Sequence, residues 1–188
     1  MEATELEGCV LGIVWAWGPC TAYVIRKVFL DSLSPYWSGS AGAIYPLVAR
    51  LEGRGLIVSR AEPRGGKSRR ELTITPDGVA TLHTWLLPLP EWTGSVPVDP
   101  VRTRMFFLGA VSLEKQEVFL ADAEARARAA LDLIRQENEA HVQKAEIWEA
   151  RATRGAIRVQ EARIKWLAEV RRELRAAKRQ YSTKASSE

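Results

Sequence analysis

Between Leu87 and Val101 the chain places Pro88, Pro90, Pro97 and Pro100 around Gly94 and Ser95, and this stretch divides it into two unlike parts. Proline lacks the amide donor that a helix or a central strand needs, and glycine and serine favour turns. The expected organisation is a module over residues 1–87, a linker over 88–100, a helical region over 101–181 and a frayed tail over 182–188. With 188 residues, 46% of them hydrophobic, the chain can bury a core.

Before the linker, apolar residues recur at spacings of three and four. Leu6, Cys9, Val10, Ile13, Val14 and Trp17 form one stripe, ended by Gly18-Pro19. Ala22, Ile25, Val28, Phe29 and Leu33 form a second, stopped near Ser32 or Leu33 by Ser34-Pro35, with a loop expected through Gly39. Ser40 then offers an N-cap hydroxyl to a third helix carrying Ile44, Leu47, Val48 and Leu51, with an irregular start at Pro46 and an end at Gly53 and Gly55. Leu56-Ile57-Val58 is expected to begin a strand, with Glu71-Leu72-Thr73-Ile74 returning as its partner after a turn from Glu62 to Ser68. Thr75 caps and Pro76 opens a fourth helix with Val79, Leu82, Trp85 and Leu86 on one face. Three helices, a hairpin and a fourth helix make a winged helix-turn-helix.

Past the linker, Met105 to Val111 is a short apolar segment, and the stretch from Glu114 to about Ala152 is proline-free and rich in Ala, Glu and Arg. Ala127, Leu131, Ile134, Asn138, His141, Ala145, Trp148 and Ala152 trace a seam suited to helix-on-helix packing. An interruption is expected at Thr153 to Gly155, before a last helix marked by Ile157, Ile164, Leu167, Val170 and Leu174. Two such helices have little with which to build a core alone. A second copy is therefore expected to cover Leu131, Ile134, Trp148, Ile164, Leu167 and Leu174. The fold class is mainly α with a small β-hairpin: an N-terminal winged helix-turn-helix followed by a C-terminal long-helix dimerisation region.

The net charge of +4 is mild, so the placement of charge carries more weight than its sum. Arg64, Lys67, Arg69 and Arg70 crowd one hairpin around Gly65-Gly66, where an anionic partner would relieve their repulsion. The second helix of a helix-turn-helix enters the major groove. Here its small leading residues, Ser40 to Ala43, permit close approach, and Tyr45 and Arg50 can reach a phosphate or a base edge. The expected contact set for double-stranded DNA is Ser40, Ala41, Tyr45, Arg50, Arg64, Lys67, Ser68, Arg69 and Arg70. The plainer alternatives are that Tyr45 caps the core, Arg50 is solvated, and the hairpin cations balance Glu62 and Glu71. A protein-interaction adaptor, offering its Arg-rich last helix to an acidic partner, is the competing class.

Enzyme chemistry is not expected. The chain has no nucleophile–base pattern, phosphate loop or metal-ligand spacing, and His83 and His141 fall in different modules, so neither cofactor nor metal is expected. Cys9 and Cys20 form no disulfide framework, and neither has an obvious basic neighbour, so buried thiols are expected. Glu2, Glu5 and Glu7 precede the first apolar run, and no apolar stretch is long enough to span a bilayer. A cytoplasmic protein without a membrane partner is expected.

In Gly18-Pro19 with Tyr23, Ile44-Tyr45-Pro46 running to Leu51-Glu52, Gly55-Leu56-Ile57, the basic hairpin and Thr75-Pro76-Asp77-Gly78, the chain resembles the PadR family of transcriptional regulators from Leu6 to Leu87. A weaker likeness runs through Arg102 to Val111 and into Ile164-Lys165-Trp166-Leu167, similar to the long C-terminal dimerisation region of the larger subgroup. The resemblance implies a homodimer that binds a pseudo-palindromic operator, represses its own or a neighbouring gene, and is released by a small, often aromatic, effector. Trp85, Trp92, Phe106, His141 and Trp148 are the expected lining of an effector pocket between the modules, with ordinary packing as the alternative role of these residues.

Overall fold

The computed structural model describes residues 3–64, 67–87, 89–95 and 97–185, with the backbone alone for 63, 64, 67, 68, 92 and 179–185. The chain forms two units, Met1–Ser95 and Val96–Glu188, whose boundary falls inside the proline-rich stretch.

In the first unit, α1 (Glu5–Trp17) opens on a capping box. The Thr4 hydroxyl accepts the Glu7 amide, and the Glu7 carboxylate accepts the Thr4 amide at 3.0 Å. Thr21 caps α2 (Ala22–Asp31) through the Val24 amide. The segment expected to be a loop contains a short helix, α3 (Pro35–Ser40), because Pro35 sits at the first helical position, where its missing donor is not needed. Ser40 therefore ends a helix instead of capping one, and its hydroxyl donates to the Tyr36 carbonyl at 2.7 Å. A 3-10 turn at Ala41–Ala43 leads into α4 (Ile44–Gly53). Pro46 falls in its first turn, where amides have no intrahelical acceptor, so the helix loses no hydrogen bond.

Strands β1 (Ile57–Arg64) and β2 (Lys67–Ile74) pair antiparallel from Ile57↔Ile74 to Arg64↔Lys67, a longer hairpin than the apolar runs alone indicated. Thr75 then caps α5 (Pro76–Leu86) by accepting the Gly78 amide at 3.0 Å. The turn brings Gly78 so close to β1 that a Cβ there would lie 2.0 Å from the Leu56 carbonyl oxygen. The core gathers the apolar stripes of these elements: Leu11, Ile25, Phe29, Ile44, Leu51 and Ile57 are fully buried, and Phe29 stacks on Trp37 with ring centroids 4.7 Å apart. Cys20 and Leu72 exchange backbone hydrogen bonds of 3.2 and 2.7 Å, stitching the α1–α2 turn to β2.

In the second unit, a short α6 (Pro100–Met105) precedes two long helices, α7 (Leu113–Gln143) and α8 (Ile147–Ala185). These form an antiparallel hairpin. Arg171 bridges Glu117 and Glu124 near one end, and the Thr153 hydroxyl meets Asn138 at 3.0 Å near the other. Leu120, Ala123, Ala127 and Leu131 bury against Ile164 and Leu167 between them. The two stripes thus cover one another within a single chain, which sequence periodicity did not indicate.

The break between the helices also lies earlier than expected, at Lys144–Glu146, and Thr153 to Gly155 runs inside α8. Ala145 takes φ 58°, the Ala145 amide donates to the Val142 carbonyl at 3.1 Å, and the Glu146 amide donates to the His141 carbonyl at 3.0 Å. That is the double closure usually made with glycine in the left-handed position, and an alanine there leaves no composition signal.

Ala145→Gly is expected to raise the unfolding free energy by roughly 1 kcal/mol in urea denaturation, since glycine takes a positive φ without the Cβ penalty. Gly78→Ala is expected to lower it by about 1–3 kcal/mol, because a rigid carbonyl stands where the new methyl must go. Unaltered midpoints would contradict both turn geometries.

Candidate nucleic-acid interface

Burial of Ile44, Leu47, Val48 and Leu51 decides what α4 presents outward: Tyr45, Pro46, Ala49 and Arg50, preceded by the exposed Gly42 and Ala43. Ala41 is only 2% exposed, packed into the core by the 3-10 turn, so its side chain is removed from the expected contact set. Ser40 is half-buried and tied to Tyr36. Arg50 is not a free cation. Its Nε donates to Glu7 Oε1 at 3.2 Å, and Arg54 reaches the same oxygen at 3.1 Å. Glu7 itself is 4% exposed. Burial pushes its carboxyl up, but the Thr4 amide and the two guanidiniums outweigh that and hold it below the usual carboxylate range.

The hairpin cations are sorted by the two-residue alternation of a strand. Arg70 shares its parity with Leu72 and sits at the Ala61↔Arg70 pair, next along from Ser59↔Leu72. One of its terminal nitrogens lies 2.7 and 2.9 Å from the two Glu52 oxygens and 2.7 Å from Ser59 Oγ, while the Ser59 hydroxyl donates to Glu52. The Ser59 bond is the largest influence lowering the Glu52 carboxyl; desolvation opposes it and Arg70 adds to it. Arg70 therefore joins β2 to the C-terminal end of α4.

Arg60 and Arg69, of the other parity, are exposed and make no ion pair among the described residues. The side chains of Arg64, Lys67 and Ser68 lie outside the described residues; the register sets Arg64 opposite Lys67 and Ser68 opposite Pro63. Arg60 was missed from sequence because only the cations from Arg64 to Arg70 were counted, although it lies between the strand start at Leu56 and the turn expected at Glu62, where alternation from Val58 would have found it. Between α2, α4 and β2 lies an open cleft of about 500 Å³, rimmed by Tyr23, Tyr45 and Arg69 and floored by Val48 and Leu72. Tyr23 stands in the first turn of α2, just past the Thr21 cap, which is the signal that could have added it to the contact set.

The aromatic residues expected to line a pocket have different surroundings. In the first unit, the half-buried Trp85 ring packs over Gly8, where a Cβ would come within 2.2 Å of it, so this tryptophan is core. The Trp92 side chain lies outside the described residues. In the second unit, Phe106 is 80% exposed and Trp148 is 74% exposed, with the Arg151 guanidinium 4.6 Å from its ring centroid. His141 Nδ1 lies 2.6 Å from Glu146 at the helix break. Cys20 is buried and Cys9 half-buried; burial, with Glu5 adding to it, pushes the Cys9 thiol up to about 11, and burial likewise raises Cys20. Among the described residues no His, Cys, Asp and Glu cluster could hold a metal ion, and no helix is long and apolar enough to cross a membrane.

Residues 10–84 match the model of the transcriptional regulator PadR-like family. No curated protein matches the chain. Its fold is similar to that of Bacillus subtilis PadR in complex with operator DNA, at 22% identity and a TM-score of 0.79, covering 91% of this chain and 99% of that one. It is also similar to a PadR-like transcriptional regulator from Bacillus cereus, at 21% identity and a TM-score of 0.75, covering 92% and 97% of the two chains. Bacillus subtilis PadR in complex with p-coumaric acid is similar at 20% identity and a TM-score of 0.72, covering 90% and 94%.

The folded-state carboxyls of Glu7 and Glu52 lie below their unfolded values. Their stabilisation is therefore complete above the usual carboxylate range and is lost as pH falls through the lowered values. Carboxyl NMR titration is expected to place both midpoints below that of a free glutamate, with Ser59→Ala moving the Glu52 midpoint upward. A Glu52 midpoint indifferent to Ser59 would refute the bridge.

Proposed function

We propose, from the premise that residues 10–84 of this chain form a PadR-like transcriptional regulator domain, that it binds double-stranded DNA as a homodimer and represses its own or a neighbouring gene in the cytoplasm. The observation that carries this reading is the pairing of an outward α4, preceded by the small exposed Gly42 and Ala43, with a hairpin whose exposed Arg60 and Arg69 stand cross-strand from Glu71 and Glu62 without an ion pair to either among the described residues. Such guanidiniums suit the phosphate backbone, and Tyr45 and Tyr23 flank the same cleft as Arg69. Arg64 and Lys67 extend the basic hairpin towards its tip. Arg70 acts through the α4 bridge and not as a free contact.

The homodimer reading draws on what the helical hairpin leaves uncovered. Leu131, Ile164 and Leu167 are buried inside the chain and Leu174 packs against the same cluster, while Ile134 is half-buried. Phe106, Phe107, Val118, Trp148 and Val159 remain exposed, a set of large apolar residues that a second copy would remove from water. A small aromatic effector is part of the proposal, in keeping with the p-coumaric acid complex of the Bacillus subtilis relative, and Phe106 and Trp148 are the rings of the expected set left exposed to meet one. The adaptor reading is weaker, because Arg158, Arg163, Arg171 and Arg175 of α8 are already engaged by Glu161, Asp99, Glu117 and Glu124.

Arg60→Ala and Arg69→Ala are each expected to weaken binding to the duplex upstream of the protein's own gene. Each should also flatten the dependence of log K on log salt by about 0.9. Mobility shifts at several salt concentrations, against an unrelated duplex, provide the measurement. Slopes identical to the parent protein would remove both residues from the interface.

A further inference from the structure

The basic residues of the DNA-binding module fall into two groups that charge counting does not separate. Arg60 and Arg69 stand exposed on the hairpin, cross-strand from Glu71 and Glu62 but ion-paired to neither, whereas Arg50 and Arg54, the only basic residues of α4 and its C-cap, converge on one oxygen of Glu7 at 3.2 and 3.1 Å. Glu7 belongs to α1 and is held there independently of them, since its other oxygen accepts the Thr4 amide in the capping box.

The pair is asymmetric. The Glu7 side chain is almost wholly buried, while that of Arg50 is 57% exposed and lies on the outward face of α4. A phosphate that recruited these guanidiniums would leave a dehydrated carboxylate with the Thr4 amide but no cation, and an uncompensated buried charge is far more unfavourable than an unpaired exposed one. A phosphate approaching Arg60 or Arg69 faces only the cross-strand carboxylates of Glu71 and Glu62, neither of them buried, and breaks no ion pair.

We propose that Glu7 withholds Arg50 and Arg54 from the DNA backbone, so that α4 approaches the groove without a free cation and the module's sequence-independent attraction to DNA is limited by an acid on α1. Arg50 is thereby a partner of the scaffold and not a DNA contact, contrary to the expectation from its place on the helix. Overall affinity is the quantity that is held down. Phosphate contacts strengthen every site alike, so suppressing two of them lowers affinity for specific and unrelated duplexes together and leaves the base-edge and shape readout that separates them untouched. The inference rests on the DNA-binding reading above.

Glu7→Gln is the informative variant, because glutamine still accepts the Thr4 amide at the same capping-box position while the charge that holds the guanidiniums is gone. Mobility shifts with the full chain on an unrelated duplex should show a steeper salt dependence, by about 0.9 in log K per log salt for each guanidinium released. Tighter binding at low salt should accompany it. Adding Arg50→Ala and Arg54→Ala to Glu7→Gln should restore the parental slope. A parental slope in Glu7→Gln, with the unaltered protein binding DNA normally, overturns the withholding role alone. Failure of the unaltered protein to retain any duplex overturns the DNA-binding reading and this inference with it. Should Glu7→Gln unfold, the unaltered protein still decides the matter by NMR. The Nε–H signals of Arg50 and Arg54 are expected to stay in place on adding duplex while those of Arg60 and Arg69 shift, and movement of the α4 pair refutes withholding.

Discussion

The first unit depends on the exchange of backbone hydrogen bonds between Cys20 and Leu72. Leu72 is at once a core residue, the partner of Ser59 across the hairpin, and the point where β2 is tied to the turn between α1 and α2. A two-stranded ribbon by itself is marginally stable in water. Here its base is gripped on one edge by β1 and on the other by this short bridge, while Ile57 and Leu72 face the helices. The bond from Arg70 to Glu52 adds a polar strut two residues nearer the hairpin tip on β2. Each hydrogen bond is individually modest, but together they convert a flexible loop into a projection with a defined base.

A second constraint is the pairing of charge. Burying apolar stripes from α1, α2 and α4 brings Glu7 beneath the C-terminal half of α4, where its carboxylate can be tolerated only with cationic partners. The same logic operates in the second unit, where Glu117 and Glu124 are held below the usual carboxylate range, Glu117 chiefly by Arg175 and then Arg171, Glu124 chiefly by Arg128 and then Arg171. Much of the arginine content that makes the chain look like a polyanion binder therefore serves to join helices. What remains free in the first unit is concentrated on the hairpin.

The start of α5 was the clearest of the helix starts in the sequence, because the Thr75 hydroxyl acts locally and its bond to the Gly78 amide appears where expected, whereas the Thr21 cap of α2 went unread. Three features were illegible for three different reasons. Pro35 begins a helix instead of ending one, and only the neighbouring backbone distinguishes those roles. Ala145 closes a helix in a conformation that alanine seldom adopts, so no residue type marked the turn and the seam seemed to run on through Trp148. The partnership of Arg50 with Glu7, 43 positions apart, exists only because α1 and α4 pack together, and no local pattern contains it. Arg60 differs from these. Its signal was present in the strand alternation ahead of the turn expected at Glu62, and was lost only by counting the hairpin cations from Arg64 onward.

The break at Ala145 fixes where α8 starts, and from there that helix runs for 39 residues. At 1.5 Å per residue it is a rod of about 58 Å against about 46 Å for α7, and the closure at Ala145 sets the register in which Leu120 and Leu131 share a core with Leu167 and Ile164 and in which Arg171 reaches Glu117 and Glu124. A single alanine in an uncommon conformation thus decides which residues of the two helices face each other along the whole seam.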